Sequence, residues 1–412
     1  MNRTLLFQVL PTGPTLARGR VAVLDRFVHA ERGEVRCPAA VALAADLGER
    51  LGRGAAVTRG EVVAGSDSGG SVTVCVSYLD RDGHAIGLAA AVRTRDYEAI
   101  DIVQQTMRSW AAAMRTRRVL IADQPGCMTG ECPHRRMAHA SVLDFTDRGD
   151  TVVLIADRGH GQVGAVEEAT AELIMAARNV GGSTVVVGGP GEVASLETEP
   201  KRESESGSGL ETESKRELKT ESKTGLKTGL KSEPKMKIDP DALSFVIVPG
   251  IRIEAAMPTL YRLREQFPRL RGQHPDEYCY AASDLHESVR SVAEASERLL
   301  VVAGSVEEAM SAADAHGVPW HPVLSPADLR PSHLAAGTLG LIVAGGSGRN
   351  PDRDAVPDPV NPLEFNLLEF SLLDVLAGLG PLSVRRRGVR TEAYPQRVSG
   401  VVEMPVAGTV QA

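Results

Sequence analysis

Long apolar runs are missing from this chain. No stretch of 18 apolar residues occurs, so no segment is long enough to cross a bilayer as a helix. The first residues also lack the charged-then-apolar pattern of a secretory signal. The expectation is a cytoplasmic protein with no membrane partner. A basic excess is missing too. The 46 Lys and Arg stand against 53 Asp and Glu, a net charge of −7, which removes the electrostatic reason to expect nucleic acid as a partner. Cysteine is scarce and odd in number. The five residues Cys37, Cys75, Cys127, Cys132 and Cys279 are widely scattered, which argues against a disulfide framework. Cys127 and Cys132 form one C-x₄-C spacing, open between a metal site and chance. The second close pair that a zinc ribbon needs is absent.

What is present is enough chain, 412 residues, to bury a sizeable core in two or three domains. LLFQVL and VAVLDRFV read as short strands around a turn. AAVALAADLGERLG, opened by Cys37-Pro38 and closed by Gly52 and Gly54, reads as a helix. SVTVCVSYL and HAIGLAAAV flank a DRDG turn, and Cys75 within the first of these runs is assigned to core packing. Residues 95–116 place Ile100, Val103, Met107 and Trp110 on one side of an amphipathic helix. From 133 to 193, helices alternate with the strands TVVLIAD and STVVVGG, the signature of parallel βαβ units. In such sheets the working loops lie at the carboxyl ends of strands, where His160 and Gln162 fall.

Residues 196–237 differ in kind. They contain no aromatic residue, valine or isoleucine, repeat LETE-x-KRE, and mix both charges with Gly, Ser and Thr. Such a segment cannot bury enough apolar area to offset its ordering entropy, so disorder is predicted. The domain reading is a first α/β lobe at 1–120, a second at 121–195, the insert at 196–237 and a third lobe at 238–350. A proline-rich loop, apolar helix and final strand fill 351–412. The Arg385–Arg387 run reads as a solvated edge.

Three of the cysteines stand at helix starts. Cys279 precedes a helix whose apolar residues are Leu285, Val289, Val292 and Ala293, and a short buried-strand run from Leu299 to Ala303 follows. Backbone N–H groups and the helix dipole favour a thiolate there; a buried structural cysteine is the ordinary alternative. Cys37 and Cys132 are 95 residues apart and Cys132 and Cys279 are 147, or 105 without the 42-residue insert. This spacing predicts three similar α/β lobes with mostly parallel sheets, each giving one thiolate to a common centre. Three thiolates suit an iron–sulfur cluster better than zinc, for which no nearby histidine completes a tetrahedron. A cubane held by three cysteines leaves one iron open to a substrate oxygen.

Cys279-Tyr280-Ala281-Ala282, SVRSVAEASERLLVVAGS, LIVAGGSG around Ser347, and DALSFVIVPG…LREQFPRLRG resemble the last third of the LytB/IspH family. Cys132-Pro133 and RGDTVVLIADRGHGQVGAVEEA resemble its middle segment. The similarity covers residues 128–193 and 238–350. It implies a [4Fe-4S] reductase that removes the hydroxyl of 4-hydroxy-3-methylbut-2-enyl diphosphate to give isopentenyl and dimethylallyl diphosphate. The electron donor would be of the ferredoxin or flavodoxin kind. Residue by residue, Cys132 and Cys279 match cluster ligands, and Cys37 matches the first ligand by its place before a helix, with Cys127 as the other candidate. His160 and Ser347 match diphosphate-holding residues.

Departures accompany the resemblance. Gln162 stands where the family has its proton-delivering glutamate, and an amide is no general acid. VEEAM, with Glu307 and Glu308, replaces a phosphate motif, and two carboxylates would repel a diphosphate. VPGIRI replaces a Thr-rich stretch, and Gly60-Glu61 a His-Glu pair. A diverged three-cysteine reductase acting on a substrate without diphosphate, or a non-catalytic paralogue, is the alternative reading.

Overall fold

The structure is a computed structural model that describes residues 5–12, 16, 20–52, 56–58, 70–80, 82–122, 132–156, 163–196, 238–302, 306–343, 362–391 and 400–405. The segment expected to be disordered lies, from residue 197 on, outside them. The chain forms two compact units, one of residues 1–133, 161–167 and 279–412, the other of 134–160 and 168–278.

The first unit opens with β1 (Leu6–Thr12), β2 (Val21–Leu24), β3 (Arg26–His29), β4 (Gly33–Arg36), β5 (Ala56–Thr58), β6 (Ser71–Leu79) and β7 (Ala85–Arg93). They make one sheet in the order β1-β6-β7-β2-β5, with the β3–β4 hairpin attached to β7. β6 and β7 are antiparallel because only residues 80–84 join them, and a parallel pair needs a crossover of a dozen residues or more. The Asp80 carboxylate accepts from the backbone N–H groups of Asp82 and His84 at 2.9 and 2.8 Å, and Gly83 takes the positive φ of 83° that the turn requires.

Helices α1 (Ala40–Leu51) and α2 (Tyr97–Ala113) pack on this sheet, followed by β8 (Arg117–Ala122). α1 ends at Gly52 in the left-handed region. Val103, Met107 and Trp110 of α2 are wholly buried, and the Trp110 indole N–H donates to the buried Asp46 carboxylate of α1 at 2.8 Å.

Next come α3 (Pro133–Asp147), β9 (Thr151–Ile155), α4 (Val163–Asn179), β10 (Thr184–Val187), α5 (Pro190–Val193), β11 (Leu243–Ile247), α6 (Ile253–Gln266) and β12 (Arg271–Gly272), which lie in the second unit apart from Pro133 and the start of α4. The sheet runs β10-β9-β11-β12, all parallel. The buried Asp150 carboxylate accepts from Ser244 and Arg271, tying the start of β9 to its neighbours.

The chain then returns to the first unit through α7 (Ala281–Glu294), β13 (Arg298–Val302), α8 (Val306–His316), β14 (Trp320–Pro322), β15 (Thr338–Val343), α9 (Pro362–Gly378), β16 (Leu382–Arg390) and β17 (Gly400–Pro405). With β8 they form a six-stranded sheet, β14-β13-β15-β8-β16-β17, parallel except for the last pair. Its residues alternate between two cores. Val119 and Ile121 face α1, α2 and α9, whereas Leu120 and Ala122 face α7 and α8.

The α/β class and the three sheets expected from the sequence hold. The first sheet alone is mostly antiparallel. Pairing also crosses the lobe boundaries read from the sequence. β8, at the junction of the first and second expected lobes, pairs with β15 and β16, and β9 of the second pairs with β11 of the third.

Candidate metal centre

Cys132 and Cys279 are brought together from opposite ends of a 147-residue excursion. Cys132 stands immediately before α3, whose first residue is Pro133; the fixed φ and missing N–H of proline suit that position. Cys279 stands two residues before α7. Neither is in a disulfide, both are buried, at 6% and 5% exposure, and with Ala281 they form a small apolar cluster. Their Sγ atoms are 3.7 Å apart, in contact but far beyond the roughly 2.05 Å of an S–S bond.

The mouth of α7 is held by two stripes. Leu285, Val289, Val292 and Ala293 pack on the six-stranded sheet, as the spacing predicts. Asp284, Ser288 and Ser291 form a second, polar stripe along β16. The Asp284 carboxylate accepts from the Thr391 hydroxyl at 2.6 Å and its N–H at 3.1 Å. Ser288 Oγ accepts from Val389 N–H at 2.8 Å, and Arg387 donates to the Ser291 carbonyl at 3.0 Å. Sequence reasoning missed this stripe, although its 4-then-3 spacing beside the apolar one carries the signal. It also gives the arginine run a role in the interior. Arg387 is the Ser291 donor, and Arg386 pairs with the nearly buried Glu369 of α9.

Cys37 is not with the pair. It is 2% exposed, in the core of the first sheet, α1 and α2, where Cys75 of β6 is its neighbour. Burial, reinforced by Cys75 and Asp25, pushes its thiol far above the ordinary range. Burial likewise pushes Cys75 up to about 11. These two are inert core thiols, as expected of Cys75 but not of Cys37. Of the three sulfurs expected to converge, the described residues bring together two. Cys37 does precede a helix, as read from the sequence, but that helix packs its start into the core of another sheet.

Cys127, His160, Gln162, Ser347 and Gly60-Glu61 lie outside the described residues, as do the side chains of Glu307 and Glu308. His134 was passed over in the sequence reading, which found no nearby histidine. It follows Cys132 by two residues and is half-buried.

Two buried cysteine sulfurs in contact, outside any disulfide, are the donor chemistry of a soft-metal or iron–sulfur site. Both stand beside helix starts, Cys132 directly before α3 and Cys279 two residues before α7. The pair therefore fits two ligands of the group implied by the resemblance.

No family model matches the chain. Among curated proteins it is similar to 4-hydroxy-3-methylbut-2-enyl diphosphate reductase 2 of Mycobacterium bovis and reductase 1 of Mycobacterium tuberculosis. Each is 25% identical over 279 residues, covering 66% of this chain and 64% of the relative. The match thus spans a little under two thirds of those proteins. A shorter segment of 114 residues is 28% identical to the Vibrio cholerae reductase, covering 26% of this chain and 36% of that one. Among solved structures, the Plasmodium falciparum reductase aligns with 74% of this chain and 83% of its own at 12% identity, with a TM-score of 0.37. The chain is an α/β protein similar to the hydroxymethylbutenyl diphosphate reductases. Its resemblance to the LytB/IspH family is a divergent one.

Proposed function

We infer that the protein is an iron–sulfur reductase of the LytB/IspH type, acting on 4-hydroxy-3-methylbut-2-enyl diphosphate with an electron donor of the ferredoxin or flavodoxin kind. The observation that carries this reading is the meeting of Cys132 and Cys279, each at a helix start. They are two of the three cysteines that the resemblance implies as ligands; the third, expected at Cys37 or Cys127, is not brought to them by the described residues. A [4Fe-4S] group held by Cys132, Cys279 and a third cysteine would supply electrons and an open iron for breaking a carbon–oxygen bond. The chain's own part is to present two thiolates from rigid helix mouths and to keep water from them, since both lie under the surface. The diphosphate falls to His160 and Ser347.

Gln162 favours a second reading in which the centre is kept and the substrate lacks the diphosphate. An amide cannot deliver the proton that a departing hydroxide needs, and Glu307 and Glu308 stand where a phosphate motif is expected.

Anaerobic purification, iron and sulfide analysis, low-temperature spin resonance and an assay with the hydroxylated diphosphate and a strong reductant separate these readings. Isoprenoid diphosphate products support the first. A cluster without products supports the second, and a colourless, iron-free protein rejects both.

A further inference from the structure

A cavity of about 340 Å³ opens at the start of α1, lined by Asp25, Arg26, Arg36, Cys37, Val41 and Asp374 among others. Its size is at the lower end for a small-molecule site. Asp25 sits at the bend between β2 and β3, where its carbonyl accepts from Cys37 N–H at 2.8 Å. One of its carboxylate oxygens, Oδ1, is fully buried and has no hydrogen-bond partner among the described residues. An orphaned buried acceptor carries a free-energy penalty, so the Asp25 carboxylate at the edge of the cavity is not fully satisfied by the described residues.

Opposite charge is near, yet unspent. Arg36 lines the same cavity, is exposed, and has no ion-pair partner among the described residues, whereas Arg26 pairs with Glu34 at 3.6 Å. No side chain caps α1 and no acidic residue stands in its first turn, so its N-terminal N–H groups add positive potential. Asp374 faces the cavity from α9, which is pressed so close to Pro38 at Gly378 that a Cβ there would lie 2.9 Å from the proline ring. Two arginines, one of them already paired with Glu34, two aspartates and a helix start thus line one small space.

We propose that this cavity binds a small zwitterion, its ammonium on Asp25 and Asp374 and its anionic group against Arg36 and the first turn of α1. A simple anion would meet two carboxylates, and a simple amine the unpaired Arg36 guanidinium; a molecule with both charges can meet a partner for each. The anionic end is a carboxylate or a phosphate, and the two are separated by the choice of probe. The site is independent of the reductase reading.

Calorimetric titration of the full chain with L-serine and with O-phosphoethanolamine tests the inference, with acetate and ethanolamine as single-charge probes. At least one zwitterion binds saturably, and the single-charge probes bind about tenfold more weakly or worse. Arg36→Ala and Asp25→Asn each lower that affinity by about tenfold or more, whereas Cys279→Ser leaves it unchanged. Arg36 is exposed, so its variant folds even if Asp25→Asn does not. The inference is overturned if neither zwitterion binds, if acetate or ethanolamine binds equally well, or if Arg36→Ala binds as the parent does.

Discussion

Cys37 and Cys279 both precede a helix, yet their surroundings make opposite demands on a thiol. Cys279 meets a second sulfur at 3.7 Å, whereas Cys37 is buried to 2% exposure, and that burial, reinforced by Cys75 and Asp25, holds its proton in place. Cys132→Ser and Cys279→Ser are each expected to abolish iron incorporation in anaerobically purified protein, while Cys37→Ser retains it; total iron per chain reads the result. Loss of iron in Cys37→Ser alone would reverse the assignment. A second residue-scale expectation concerns pH. His321 and His333 stack with ring centroids 4.1 Å apart. Burial first, then His321, Arg330 and Arg298, lower His333 to about 4. The folded chain keeps this imidazole neutral where the unfolded chain, with an ordinary value near 6.5, takes up a proton. The stability it contributes is therefore complete above about pH 6.5 and is lost as pH falls towards about 4. Urea midpoints at pH 7.5 and 4.5 should differ less in His333→Phe than in the parent.

Among the elements, α7 shows most clearly what the sequence discloses and what it hides. Its apolar stripe follows directly from periodicity, as do α1, α2 and the hairpin of β6 and β7 around the DRDG turn. Each of these depends on neighbours in sequence. The polar stripe of Asp284, Ser288 and Ser291 depends on β16, about one hundred residues later, and its partners could not be read locally. The same limit explains Cys37. A Cys-Pro before an alanine-rich run fixes where a helix begins, but which core receives it depends on strand pairing. Equal spacing along the chain then misled, because the first sheet is built from tight turns rather than crossovers. Asp284→Ala leaves the Thr391 N–H and hydroxyl without their acceptor in a nearly buried site, and is expected to destabilise the fold by about 1–3 kcal/mol. Denaturant midpoints measure the loss, and iron content should fall with it as the mouth of α7 loosens.

Over the whole molecule, sequence distance and spatial distance part company in the six-stranded sheet. β8 lies between β15 and β16, whose strands come more than two hundred residues later. The parallel sheet of β9 to β12 is complete by Gly272 and needs nothing from the last third of the chain. A chain truncated after residue 380 should keep strands β9 to β12 of the second unit protected from protease while β8, bared along one edge, is cleaved. Equal resistance throughout would contradict this order. During synthesis, β8 therefore leaves the ribosome with no lasting neighbour on that side and waits for the final helix and strand to be made. A slow or interrupted ribosome prolongs the period in which that edge can be captured by another nascent chain.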